Sequence, residues 1–177
     1  MKKVIALMLA LALAASMAAC GEKEPAAAEK TPLAGTMEEN VNKVMELCPT
    51  QFMGGSMTVD LTDTSEDGLW ALGYYTGLQS AEKITDAAVY EPMIGSQAFS
   101  LVMVRVADAA NAKAVAQEMS DNIDTNKWIC VGADEKLVAG YGDTVMLIML
   151  SSSMDLSAQS YVDAFAQVCG GELDFTI

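Results

Sequence analysis

The segment "DTSEDG", residues 63–68, carries the clearest arrangement of metal-type oxygen ligands in the sequence. Asp63, Ser65 and Asp67 alternate as in the first half of a calcium-binding loop, whose side chains supply hard oxygen ligands. The bidentate acid that such a loop needs at its twelfth position is replaced by Tyr74, so the site would be open and weak. The alternative is a helix start whose acidic first turn complements the helix dipole. We favour the helix start and keep the three oxygen-bearing residues as weak calcium candidates.

Arg105 is the only arginine in the chain, and it lies within an otherwise apolar stretch. Its guanidinium could bind an anionic group of a ligand through two parallel hydrogen bonds. The alternative is an ion pair with one of the 24 acidic residues. We favour the ion pair and keep Arg105 as a weak ligand-binding candidate.

Histidine is absent from the sequence, which excludes serine–histidine and cysteine–histidine catalysis and histidine-bound zinc. Beyond the N-terminal cysteine, Cys48, Cys130 and Cys169 are odd in number, and no CxxC motif is present. Cys130, in "WIC", is expected to be a buried and inert thiol. A disulfide between Cys48 and Cys169, at the ends of two predicted helices, is one of three pairings that the sequence leaves open. We expect no catalytic residue and no cofactor.

The elements that must position these groups follow from apolar spacing, caps and turn residues. Thr36 and Glu39 form a capping-box pattern at the first helix. In chain order, the predicted elements are a helix at 36–49, a brief strand after Gly54-Gly55, a short helix from Thr64 or Ser65 through Leu72, strands at 84–93 and 98–107, a helix at 108–124, a hairpin around Tyr141-Gly142, and a helix at 157–171. The core order β-β-α-β-β-α predicts an α+β fold, with helices packed on one antiparallel sheet and preceded by N-terminal helices.

The segment "VMLIML", residues 145–150, is apolar at every position. A strand with one wet face would alternate, so this strand is expected to be covered on both faces. The N-terminal helices or a partner protein are the two covers considered, and we favour the helices. Met146 and Met149 would lie on opposite faces, which favours core filling over a thioether copper site.

The N-terminal segment has the composition of a targeting signal. Lys2 and Lys3 precede an uncharged apolar stretch, residues 4–19, which is shorter than the roughly 20 residues that span a bilayer. The following "MAAC", residues 17–20, resembles the lipobox of bacterial lipoproteins, in which Cys20 is acylated, typically with palmitate, and becomes the new N-terminus. Simple secretion, with cleavage after a small residue, is the alternative.

The chain after Cys20 divides into a tether and one domain. Residues 21–35 contain Pro, Ala, Glu and Lys without apolar periodicity, which is typical of a flexible linker. The predicted division is therefore a signal peptide at 1–19, a lipidated cysteine and tether at 20–35, and a single α+β domain at 36–177.

The charge of the chain limits its partners. Without residues 1–19, which hold Lys2 and Lys3 but no acid, the formal charge becomes −16 instead of −14. Such a surface repels nucleic acid and anionic lipid headgroups. The part beyond the tether is long enough for one domain with its own core and too short for a two-lobed transport-binding protein.

Several segments carry a resemblance that spans most of residues 36–170. They are the lipobox, the N-terminal helix, "YYTGL" at 74–78, "VYEPM" at 89–93, "VADAANAKAVAQEM" at 106–119 and "GYGDTVMLIML" at 140–150. Together they resemble a family of small lipoproteins from Gram-positive anaerobes, known as a domain of unknown function. The segment "TNKWICVGADEK" at 125–136 departs from the more polar segment usual in that family. The resemblance implies the location and the fold, and it assigns no catalytic residue.

These observations lead to three functional hypotheses. The first is a lipoprotein held by Cys20 on the extracytoplasmic face of the cell membrane, whose domain is a non-catalytic binding or accessory module for an envelope protein. The alternative is a lipoprotein that binds a small ligand or metal, through the acidic loop or beside Arg105. An envelope hydrolase is a third hypothesis, which needs two facing acids in one pocket. Nucleic acid is not an expected partner.

Overall fold

Residues 30–177 are described by a computed structural model, and the predicted signal peptide, Cys20 and residues 21–29 lie outside this range. Residues 30–177 form one six-stranded antiparallel sheet with helices on both faces, so the predicted α+β class is confirmed. None of the helices in this range combines the length and apolar character needed to cross a membrane.

The elements follow the predicted core order β-β-α-β-β-α, with two further strands at the sheet edges. The helices are α1 (Met37–Leu47), α2 (Glu66–Thr76), α3 (Ala112–Asn122) and α4 (Ala158–Cys169). The strands are β1 (Gly54–Thr58), β2 (Ile84–Pro92), β3 (Phe99–Val106), β4 (Glu135–Tyr141), β5 (Thr144–Leu150) and β6 (Phe175–Thr176). Short 3₁₀ helices, Ala109–Asn111 and Ser152–Met154, precede α3 and α4.

The strand order in the sheet is β1-β2-β3-β5-β4-β6, and every neighbouring pair is antiparallel. The hairpins β2–β3 and β4–β5 meet through β3 and β5, whose register pairs Val102 with Leu147. The sheet consequently has two distinct ends. We call the end with the β2–β3 loop, residues 93–98, the loop end, and the end with the β4–β5 turn at Gly142 and Asp143 the tether end.

The two central strands are buried on both faces, because their alternate side chains enter two separate cores. One core, under α1 and α4, receives Met146, Ile148 and Leu150 of β5, and the other, under α2 and α3, receives Val145, Leu147 and Met149. Each fully buried apolar side chain of this size contributes roughly 1.5–3 kcal/mol. The internal cover expected for residues 145–150 is confirmed, and it is supplied by two different helix pairs.

The helices α1 and α4 run in opposite directions across one face of the sheet. The Met37 amide donates to Asp86 Oδ2 at 2.8 Å, near the start of β2 at the tether end. The Ala158 amide donates to Glu135 Oε2 at 2.9 Å, at the start of β4 and therefore at the loop end. The C-terminal ends of the two helices lie at opposite ends of the domain.

Local signals start and stop the helices much as the sequence predicts. Thr36 Oγ1 accepts from the Glu39 amide at 3.1 Å, and Glu39 Oε2 accepts from the Thr36 amide at 3.1 Å, which is the expected capping box. Ser65 Oγ caps α2 by accepting from the Gly68 amide at 3.2 Å. Gly170 adopts the left-handed conformation that ends α4.

Several predicted boundaries are wrong for identifiable reasons. The third helix begins at Ala112 instead of Asp108, because Asp108 caps a 3₁₀ turn by accepting from the Ala110 amide at 3.0 Å. The second helix continues past Leu72 to Thr76 and ends where the next residue is glycine. The short edge strand β6 carries too little pattern to be recognised in the sequence.

Gly77→Ala should destabilise the domain, because Gly77 ends α2 with a φ of 76° and has no room for a β-carbon. A Cβ there would lie 2.7 Å from the Met119 carbonyl oxygen and 2.9 Å from the Ile123 nitrogen. Such strain costs about 1–3 kcal/mol, so urea denaturation should give a free energy of unfolding lower by about 2 kcal/mol. Gly171→Ala is the control, since no atom lies within 4 Å of its Cβ position. Equal losses in the two variants would contradict this account.

Candidate functional site

Arg105 lies at the tether end and is occupied by groups of its own chain. Its Nη1 donates to Asp143 Oδ2 at 2.9 Å, and the two side chains are 18% and 17% exposed. Its Nη2 donates to the carbonyl oxygens of Leu33 at 2.8 Å and Gly35 at 2.9 Å. The guanidinium therefore forms the ion pair favoured by the sequence and holds the segment before α1, instead of facing an open pocket.

Lys30 fixes the same segment at a second point of the tether end. Its Nζ lies 2.7 Å from Asp174 Oδ1, donates to the Glu172 carbonyl oxygen and lies 4.6 Å from the centroid of the Tyr141 ring. With the Arg105 contacts, these bonds attach residues 30–35 to β3, β4 and the C-terminal segment. The described part of the predicted tether is thus packed against the domain.

The segment "DTSEDG" forms the start of α2. Asp63 Oδ1 accepts from the Ser65 amide at 2.9 Å, and hydrogen bonds from the Ser65 hydroxyl and amide lower the pKa of Asp63. Asp67 lies in the first turn of the helix, as the helix-start interpretation predicts. Within residues 30–177, no three carboxylate, thiol or imidazole side chains converge on a position that could hold a metal ion.

Cys48, Cys130 and Cys169 are unbonded. A disulfide between Cys48 and Cys169 is excluded in this fold, because the C-terminal ends of the antiparallel α1 and α4 lie at opposite ends of the domain. Burial raises the pKa of both thiols, that of Cys169 to about 12. Cys130 is exposed, so the expectation of a buried thiol is wrong; its backbone has a φ of 61°, which is unusual outside glycine.

A buried ion pair lies at the loop end. Lys127 Nζ is 2.6 Å from Glu91 Oε1, and the two side chains are only 1% and 14% exposed. The same ammonium donates to the Tyr74 carbonyl oxygen at 3.1 Å and to Ser100 Oγ at 3.4 Å. Burial lowers the pKa of Lys127, an effect that the Glu91 carboxylate opposes. These contacts attach the segment after α3 to β2, β3 and the end of α2.

Aromatic rings complete the surroundings of the Lys127 ammonium. The ammonium lies 4.5 Å from the centroid of the Tyr74 ring, 5.5 Å from that of Trp128 and 5.6 Å from that of Tyr75. Trp70 stacks on Tyr74 with centroids 4.9 Å apart, and Trp70 itself is 63% exposed. Cation–π contacts of a desolvated ammonium contribute about 2 kcal/mol, so the rings offset part of the cost of burying Lys127.

The ion pair holds a group of exposed apolar side chains in place. Two residues after Lys127, the Ile129 amide donates to the Gly95 carbonyl oxygen at 2.8 Å, which joins this segment to the β2–β3 loop. We define the loop-end patch as Met53, Met93, Ile94 and Ile129, which are 77%, 72%, 57% and 72% exposed. Its four residues come from three separate segments of the chain that meet at one end of the sheet.

A cleft of about 300 Å³ also opens at the loop end, near the patch. Its lining residues are Gln51, Phe52, Ser96, Gln97, Ala98, Val131, Ser151, Ser153, Met154, Asp155 and Leu156. Gln97 Oε1 is buried without a hydrogen-bond partner in residues 30–177. The lining residue Asp155 is a non-glycine residue in the left-handed region, and so is Cys130, which precedes the lining residue Val131 in the sequence. The cleft combines hydroxyl and amide groups with apolar walls, which suits a polar group carried on an apolar ligand.

This site was not predicted from the sequence. The patch residues are isolated apolar residues in turn-rich segments, and the residues that join them are distant in the sequence. One available signal was the large apolar pair Met93-Ile94 at a hairpin loop, where polar turn residues are usual. The burial of Lys127 had no signal of its own, since a lone lysine normally indicates a solvated surface.

No family model matches the chain, and comparisons with curated proteins and with solved structures return no match. The resemblance to small lipoproteins therefore stays a prediction. The interpretation of the loop end depends on its geometry and charge alone.

Lys127→Met should lower the free energy of unfolding by about 3 kcal/mol, because it leaves the Glu91 carboxylate buried without its cation. Glu91→Gln should cost a similar amount, and the double variant should lose less than the sum of the two single changes. Urea denaturation of all three variants measures this coupling.

The exposed pair Lys83–Glu118 is the matched control, since its atoms lie 3.1 Å apart at exposures of 55% and 27%. Lys83→Met and Glu118→Gln should each cost less than about 1 kcal/mol. Additive losses at Lys127 and Glu91 would mean that the two charges do not depend on each other.

Cys130 should be the thiol that iodoacetamide modifies in the folded protein. Its side chain is exposed, whereas Cys48 and Cys169 are partly buried with raised pKa values and little reactive thiolate at neutral pH. Mass spectrometry of proteolytic peptides should find the label at Cys130 first and at the other two thiols only in urea. Labelling of Cys169 as fast as Cys130 under native conditions would contradict the burial of α4.

Proposed function

We propose that this chain is a lipoprotein anchored through Cys20 on the extracytoplasmic face of the cell membrane, and that its domain binds an envelope protein without catalysing a reaction. The observation that carries the proposal is the loop-end patch, a group of exposed apolar side chains at the end of the sheet opposite the tether. The lipobox-like "MAAC" and the apolar stretch before it support the anchor.

The position of residues 30–35 gives the domain a direction relative to its anchor. These residues are held at the tether end by Arg105 and Lys30. The central strand β5 has seven residues, which places the loop end about 23 Å farther away at about 3.3 Å per residue. An anchor at Cys20 would therefore leave the loop-end patch on the side of the domain that faces away from the bilayer.

The composition of the loop-end patch supports a protein partner. Single exposed apolar residues are common, but several large ones from separate segments at one place are typical of an interaction surface. Methionine is frequent at such surfaces because its flexible side chain adapts to different partners. The buried ion pair of Lys127 and Glu91 joins two of the segments that carry the patch.

The acids that line cavities favour binding over acid–base catalysis. Among residues 30–177, Asp155 is the one acidic residue that lines the loop-end cleft. Asp60, Asp63 and Glu82 line a second cavity, but hydrogen bonds from Thr62 and Ser65 lower the pKa values of the two aspartates. A carboxylic acid that donates a proton near neutral pH needs a raised pKa, so this pair does not suit the hydrolase hypothesis.

A second candidate function is the binding of a small ligand in the loop-end cleft. Its volume and the unpartnered Gln97 Oε1 favour this alternative. Thermal unfolding with a panel of small polar compounds tests it, because a ligand at a hundredfold excess over its dissociation constant stabilises the folded form by about 2.7 kcal/mol. A reproducible rise in midpoint that Gln97→Leu abolishes would favour the small ligand over the protein partner.

Cys20→Ala should abolish the anchor. Cells that express the full chain and are fed an alkynyl palmitate analogue should give a labelled protein, because Cys20 would carry the acyl chains. The labelled protein should be in the membrane fraction, since two or more acyl chains give stable attachment. The variant should carry no label. Labelling that persists in Cys20→Ala, or a wild-type chain without label, would contradict the lipoprotein assignment.

Photo-cross-linking tests the partner. A benzoylphenylalanine at position 94 of the full chain should give one discrete adduct in intact cells, and Ile129→Ser should reduce it by about tenfold, since losing one buried apolar contact costs about 1.4 kcal/mol or more. Leu69→Ser is the matched control, because Leu69 is also exposed, at 46%, but lies on α2 outside the patch. An adduct that both variants affect equally would remove the patch from the proposal.

A further inference from the structure

Among residues 30–177, the edge strand β1 leaves one row of backbone groups unpaired. β1 pairs only with β2 in the sheet, and Gly54 and Thr58 lie opposite Pro92 and Ala88. The Met93 amide donates to the Met53 carbonyl oxygen at 3.0 Å, and the Val59 amide donates to that of Ala87 at 2.9 Å. These two bonds, one just before β1 and one just after it, determine which residues of β1 direct their backbone amide and carbonyl groups toward β2.

The outward row follows from the alternation of antiparallel pairing. By this alternation, the backbone groups that face β2 are those of Met53, Gly55, Met57 and Val59. The amide and carbonyl groups of Gly54, Ser56 and Thr58 consequently point away from the sheet. Pro92, which has no amide hydrogen, stands opposite Gly54, where no bond to β2 is required.

Within residues 30–177, this edge lacks the usual protection against strand pairing. Proteins protect exposed edges with lysine, proline, a bulge or a covering segment. The sequence of β1 is "GGSMT", with no charge and no proline, and its register with β2 is regular. No atom of residues 30–177 lies within 4 Å of a β-carbon built on Gly55, so the sheet face on the Met57 side is open at this position.

The charge beside the edge selects the partner. Glu38 of α1 accepts hydrogen bonds from Ser56 Oγ at 3.2 Å and from Thr58 Oγ1 at 3.1 Å, so its carboxylate lies along β1. Within residues 30–177, no lysine or arginine lies within ion-pair distance of Glu38. A second copy of this chain paired edge to edge would bring two Glu38 carboxylates together, and they would repel each other. A strand with basic side chains would instead neutralise the single Glu38 carboxylate.

The two faces of β1 differ in a way that defines a sequence pattern. Ser56 and Thr58 face α1 and Glu38, and the alternate residue Met57, which is 42% exposed, faces the opposite side. A strand added beside β1 alternates in the same manner. Basic side chains would lie on the Glu38 side and apolar side chains on the Met57 side, next to the loop-end patch that includes Met53.

We propose that β1 binds an extended segment of the partner protein as a seventh strand, and that this segment alternates basic and apolar residues. The inference deepens the proposed function and rests on its protein partner. Main-chain hydrogen bonds to Gly54, Ser56 and Thr58 provide the binding, and Glu38 provides the preference for basic residues.

The test uses the full chain in detergent micelles and a fluorescent peptide of about eight residues that alternates lysine and valine. Fluorescence anisotropy should detect binding to the wild type and binding about tenfold weaker to Ser56→Pro. Proline at position 56 removes an outward amide and leaves the bonds between β1 and β2 in place. Ser56→Ala, which also loses the hydroxyl but keeps the amide, is the matched control and should bind as the wild type does.

Two further arms keep the test decisive. Glu38→Gln should weaken binding at low salt, and a peptide with glutamate in place of lysine should not bind. Two further peptides carry N-methyl groups on alternate residues, one on the odd positions and one on the even positions. Methylation of the amides that face β1 should abolish binding, and methylation of the amides that face away should not. This comparison tests the strand pairing even if Ser56→Pro fails to fold.

Equal binding to the wild type and Ser56→Pro, or no binding of the lysine–valine peptide, would overturn the inference. A wild-type dimer that Ser56→Pro dissociates would identify a second copy as the occupant and would also overturn it. If Ser56→Pro keeps the cellular adduct at position 94 while Ile129→Ser loses it, the partner proposal stands and the seventh strand fails.

Discussion

The burial of β3 and β5 on both faces is the constraint on which the rest of this fold depends. A sheet whose central strands have no polar face cannot stop at one helical layer, because one row of side chains would remain in water. The chain meets this requirement with two helix pairs, α1 with α4 and α2 with α3. The two edge strands are short, with five residues in β1 and two in β6.

The second organising interaction is the buried ion pair of Lys127 and Glu91, which lies at the loop end of the sheet. The Lys127 ammonium reaches from the segment after α3 into a space bounded by Glu91, Ser100 and the end of α2. A buried pair of this kind contributes little net stability compared with apolar packing, but it fixes one arrangement, since each charge requires its partner. Specific positioning of the loop end is therefore its main physical role.

The sequence predicted what depends on local pattern and missed what depends on distant contacts. The capping box at Thr36, the strands β2 and β3 and the buried run 145–150 follow from spacing that is readable in any chain. The buried Lys127 and the exposed Cys130 contradict the usual behaviour of their residue types, and only the tertiary arrangement determines them. The loop-end patch is of the same kind, because its residues converge from three loops.

The hydrogen bonds from Arg105 to the Leu33 and Gly35 carbonyl oxygens also determine where the domain receives a mechanical force applied to its N-terminal segment. A pull on the N-terminal segment is resisted by the contacts of Lys30 with the C-terminal segment and then by Arg105 at the end of the interior strand β3. Through Asp143 the load spreads from β3 to the β4–β5 hairpin. Because β3 and β5 pair at seven positions, whereas the edge strands β1 and β6 pair at five and two, such a force reaches extensively paired strands in the middle of the sheet.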